Sequence, residues 1–142
     1  MDKSLIVPGD TRFNATLDSV EALLAVKDKL NSIMDAIGLR RFDSAEILFL
    51  EEYLCLMKPL AMCLDVLQGN SASLGMVLPA ITKLEQFWKK KCSDGSLELC
   101  QVLAKFLLWN LNERFSEFFD DKDYILGKLV HCWLLFFVPT IL

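Results

Sequence analysis

The chain has one histidine, no Cys-x-x-Cys pair and more acid than base, with 15 Lys and Arg against 19 Asp and Glu in 142 residues. Each shortage removes a class of chemistry. With His131 alone, a Cys–His or Ser–His nucleophile has a single possible base, and its setting in Val-His-Cys-Trp-Leu-Leu-Phe-Phe reads as packed core. The cysteines Cys55, Cys63, Cys92, Cys100 and Cys132 are odd in number and scattered. Structural zinc needs four N or S ligands at short paired spacings, and the adjacent His131 and Cys132 cannot easily chelate together from a helix. These thiols read instead as small buried hydrophobes in a reducing compartment. G-x-G-x-x-G, Walker, H-E-x-x-H and G-x-S-x-G motifs are all missing from the sequence.

Carboxylates are plentiful but not paired for chemistry. Glu51 and Glu52 are neighbours, which diverge by about 100° on a helix. Asp18, Glu21, Glu51, Glu52 and Asp65 all fall at positions expected to face solvent or lie near helix ends. The expectation is therefore no catalytic residue, no metal ligand, no cofactor and no small-molecule substrate. A net charge of -4 argues against a general phosphate-backbone binder, whose affinity comes from Lys and Arg displacing counterions. The one basic run, Lys89-Lys90-Lys91, suits the negative end of a helix dipole, with a phosphate contact as the alternative.

A targeting segment is also missing at the start, since Met1 to Asp10 contains no apolar core of a signal peptide. The expected location is intracellular, nuclear or cytoplasmic, and not secreted. The C-terminal apolar run, Leu129 to Leu142, has fourteen residues without a formal charge, short of the roughly 20 that a membrane helix needs. It reads as a buried terminal helix, with a membrane anchor or an exposed sticky end as alternatives.

What is present is apolar sequence at helical spacing. Hydrophobic residues make up 54% of the chain and its mean hydropathy is +0.36, ample to fold one core and high enough that some surface is expected to seek a partner. Val20, Leu23, Leu24, Leu30, Ile33, Met34 and Ile37 predict one amphipathic helix from about Asp10, ending at Gly38. Asp43 with Glu46 three residues on predicts a capping-box start to a second helix reaching about Leu67. This helix has little polar face, so it is expected to be contacted on several sides, with Pro59 kinking it or dividing it in two. A third helix is expected from Ser73 to Lys91, bent by Pro79. A fourth runs from Leu97 to about Phe119 with an aromatic core stripe, and a fifth from Tyr124 to Phe137. Short connections then give an all-α fold of four to five packed antiparallel helices.

One pattern is more specific. Thr11-Arg12-Phe13-Asn14-Ala15-Thr16 and the helix after it resemble the R-W-N-S-T motif and following helix of hAT-superfamily transposases, the hobo and Activator group. Glu51-Glu52-Tyr53, Met57-Lys58-Pro59-Leu60-Ala61, Leu64-Asp65-Val66-Leu67-Gln68-Gly69, Leu74 to Pro79 and Glu113-Arg114-Phe115 follow in the family's order and spacing. The resemblance divides the chain into a flexible segment 1–9, a helical domain 10–126 and a divergent apolar tail 127–142. It implies the helical insertion region of an RNase H-like transposase, truncated, without the two aspartates and the glutamate that hold catalytic metals in that family. It also implies no zinc finger. Nucleic-acid contact would fall to Arg12, Phe13 and Asn14, although Phe13 stands where the family has Trp. The function expected is that of a catalytically inactive, domesticated transposon product binding a protein partner or itself. Residual nucleic-acid binding and membrane association through the tail are the alternatives.

Overall fold

The computed structural model describes residues 13–69 and 73–137, with side chains at 14–69 and 73–129. The segment 1–9, Arg12, His131, Cys132 and most of the apolar tail lie outside the described residues or side chains. The fold is all-α: α1 (Phe13–Leu24), α2 (Lys27–Ala36), α3 (Ser44–Gln68), α4 (Leu74–Ser93), α5 (Gln101–Phe115), a 3-10 turn (Glu117–Phe119) and α6 (Lys122–Phe137). Residues group into two compact units, 1–61 and 62–142, whose boundary falls inside α3 just beyond Pro59.

In the first unit the expected single helix is two. The Ala25 N–H donates to Glu21 O, but the Val26 N–H donates to Leu23 O only three residues back, and this tighter bond breaks the helix before Lys27. Each piece buries one leucine, Leu17 in α1 and Leu30 in α2. Gly38, at φ +70, ends α2: the Leu39 N–H reaches Met34 O and the Gly38 N–H reaches Asp35 O, the paired bonds of a Schellman stop. The start of α3 is the expected capping box. The Glu46 N–H donates to Asp43 Oδ1 at 2.7 Å and the Asp43 N–H to Glu46 Oε2 at 3.0 Å.

Of the two outcomes expected at Pro59, division is not found: α3 runs as one helix from Ser44 to Gln68, since a proline removes one i to i−4 bond and leaves those on either side. Nor is it covered all round: Leu56 and Ala61 are buried, while Phe49, Cys55, Met62 and Val66 are exposed. Glu52, expected to face solvent, is buried on the same face as Leu56, four residues on. The thiols likewise divide: Cys100 is buried, Cys63 and Cys92 are half-buried and Cys55 is exposed. Burial pushes the Cys63 thiol above its ordinary value.

The second unit is organised by α4, which packs against both α5 and α6. Its buried residues Gly75, Leu78, Ile81, Leu84 and Trp88 recur at three and four residues, the spacing of one helix face. The α6 crossing is close: a Cβ on Gly127 would lie 3.2 Å from Gly75 N and 3.3 Å from Gly75 Cα. Thus α6 runs without a break through Gly127, from Lys122 to Phe137.

The fourth helix starts later and stops earlier than its apolar spacing suggests. Gly95, at φ +66, and the Ser96 N–H bonded to Asp94 Oδ1 turn the chain after α4. Leu97 and Cys100 are then buried in the connection, and Gln101 Nε2 donates to Cys92 O at 2.8 Å, tying the start of α5 to the end of α4. At the other end Phe115, Phe118 and Tyr124 form a chain of ring contacts, with centroids 5.6 and 5.0 Å apart. These rings join α5, the 3-10 turn and α6 at one corner.

Candidate interaction surface

The residues with the greatest chemical potential in the sequence are largely engaged in holding the first unit together. Glu51 and Lys58 reach back from α3. Lys27 Nζ of α2 lies 2.8 Å from Glu51 Oε1, and Lys58 Nζ lies 2.5 Å from Glu21 Oε1 of α1. Arg41 pairs with Asp35 at 2.5 Å, and Arg40 pairs with Glu46. The guanidinium of Arg41 lowers the Asp35 carboxyl, and Arg40 together with the Asp43 N–H lowers that of Glu46. A shallow hollow of about 410 Å³ lined by Phe42, Asp43, Ala45, Glu46, Phe49 and Leu50 sits at this capping box. Its carboxylates already serve each other's backbone N–H groups and Arg40.

The expected nucleic-acid residues do not assemble into a described site. Arg12 lies outside the described residues, Phe13 opens α1 with its side chain undescribed, and Asn14 is half-buried. Lys89, Lys90 and Lys91 belong to the other unit. There Lys89 pairs with Glu85 at 2.7 Å and Lys91 donates to Ser96 Oγ at 3.1 Å, so two of the three cations serve the end of α4. Among the described residues no three His, Cys, Asp or Glu side chains converge as a metal site. Among them, too, no helix is long and apolar enough to cross a membrane.

A different feature stands out on α5. Ala104 and Leu111 are buried on one side of this helix, whereas Val102 is 78% exposed, Phe106 57% and Trp109 59%. Positions 102, 106 and 109 fall within about 60° of one another at 100° per residue, so they form one stripe. Phe106 and Trp109 touch, with ring centroids 6.3 Å apart. The aromatic stripe expected in the core is therefore two stripes. Leu107, Leu111 and Ala104 share the inner face, and Val102, Phe106 and Trp109 share an outer face. Comparison with known proteins gives no name to this arrangement. No family model, curated protein or solved structure matches the chain.

Sequence reasoning overlooked this face because it placed the aromatic stripe of α5, Phe106 and Trp109 included, in the core. The signal was present as two interleaved series at three- and four-residue steps, 102-106-109 and 104-107-111. A helix apolar on two opposed faces needs a neighbour on each.

Proposed function

We propose that this chain is a catalytically inactive, transposase-derived helical protein that works by contact, through the outer face of α5. One observation carries the reading: Val102, Phe106 and Trp109 form an exposed apolar stripe on a helix whose opposite face is already buried. Isolated surface leucines or valines are ordinary, but contiguous aromatic surface is the material of protein interfaces. The use of Glu51 and Glu21 in ion pairs between helices supports the non-catalytic part, because these carboxylates are committed to holding α3 against α2 and α1. The order of the Glu-Glu-Tyr and Met-Lys-Pro-Leu-Ala stretches supports the transposase lineage.

The test is site-directed photo-crosslinking. A photoreactive phenylalanine at position 106, irradiated in intact cells, is expected to give discrete protein adducts that vanish when Val102 and Trp109 are both changed to Lys. The same probe in place of the exposed Lys122, on α6, serves as the control. Equal adduct yields from the two positions, or none at 106, overturn the reading.

A further inference from the structure

The outer face of α5 carries charges arranged about its own midpoint. Lys105 lies four residues before Trp109 and Glu113 four residues after it, and both are exposed. Four residues turn a helix by about 40° beyond one full circle, so both charges flank the tryptophan on its own side. Among the described residues neither forms an ion pair, although Glu21, Asp35, Glu46, Glu51 and Glu85 all do. Resting on the contact function assigned to this face, we propose that its occupant is a second copy of the same chain, with two α5 helices pairing antiparallel about Trp109.

The geometry chooses this arrangement over its rivals. Turning one copy end to end about Trp109 brings its Lys105 level with Glu113 of the other copy, and does so twice by symmetry. A parallel pairing sets lysine against lysine and glutamate against glutamate, which is repulsive. Val102, Phe106 and Trp109 supply the apolar centre, with the charges at the two ends of the contact. A twofold interface must be self-complementary in this sense, because each residue meets the reversed order of its own neighbours. A single pair of helices is at the small end of specific interfaces, so the association is expected to be weak and reversible.

Sedimentation of the full chain over a range of concentrations tests the pairing. The expected result is a monomer–dimer equilibrium. Trp109→Ala should weaken it by more than about tenfold, since exposed aromatic anchors carry most of such binding energy, and should leave the helical circular dichroism unchanged. Lys105→Glu and Glu113→Lys should each weaken it by roughly threefold to tenfold, and the double variant Lys105→Glu with Glu113→Lys should restore it. A chain that stays monomeric at all concentrations overturns the proposal. So does a dimer indifferent to Trp109→Ala, a larger open assembly, or single charge reversals that the double variant fails to rescue. Monomeric behaviour combined with adducts to another protein at position 106 ends the self-pairing and leaves the contact function standing. Loss of both ends both.

Discussion

The two units of this chain are held by different means. In the first, α1, α2 and the start of α3 bury Leu17, Leu30, Leu56 and Ala61, and four ion pairs tie the loop and helices together. In the second, α4 alone buries Leu78, Ile81, Leu84 and Trp88, with Leu97, Cys100, Ala104 and Leu111 packed beside it. Apolar burial at about 25 cal/mol per Å² is robust to salt and pH, whereas exposed ion pairs are screened by salt and are lost when either partner loses its charge. The contrast teaches that the two halves of α3 belong to neighbourhoods with different sensitivities. Conditions can loosen one and spare the other.

The largest effect that would break this contrast is the loss of Trp88, which is 2% exposed. Trp88→Ala is expected to cost about 3–5 kcal/mol and to unfold the second unit. Hydrogen exchange should then rise across α4, α5 and α6 while the amides of α1 and α2 keep their protection. Equal exchange in both units would show them to be one cooperative body.

A smaller effect, confined to one crossing, is expected from Gly127→Ala. The added methyl meets Gly75 backbone at 3.2 Å, a neighbour that cannot rotate aside. A penalty of about 1–3 kcal/mol is expected, read as a lower urea midpoint. Gly69→Ala serves as the matched control, because its nearest neighbours lie at 3.4 and 3.6 Å.

The smallest effect sharpens the contrast through pH. Asp35 and Glu46 have carboxyls held below their ordinary values of 3.8 and 4.5. The folded chain thus binds these protons less readily than the unfolded one, so the stabilisation is present above about pH 4.5 and is lost as pH falls through the lowered values. The protection of α2 and the first turns of α3 should decline in that window before that of α4. Asp94, lowered by its bonds from Ser96, makes the α4–α5 turn a place in the second unit expected to share the response.

Legibility in the sequence followed the range of the interaction. The capping box at Asp43 and Glu46, the glycine stop at Gly38 and the helix through α4 depend on residues within a few positions, and each could be read directly. The break before Lys27 could not, because the Val20 to Ile37 spacing suits one long helix as well as two short ones. Burial of Glu52 and exposure of Trp109 were equally hidden: which face of a helix turns inward is decided by partners distant in sequence. The outer stripe of α5 could be listed from its residues, but not told from core until α4 had claimed the opposite side.

The crossing at Gly127 sets more than a distance. A helix pinned by its smallest residue has its rotational phase fixed there, as a key fixes a wheel on its shaft. Residues two positions to either side of the pin point about 160° away from it, and Ile125 and Leu129 occupy those places, both exposed. Their bearing is inherited from the glycine between them. Moving that glycine by one position along the chain would swing the whole apolar rim of α6 by about a quarter turn, changing what the helix presents to its surroundings without altering one hydrophobic residue.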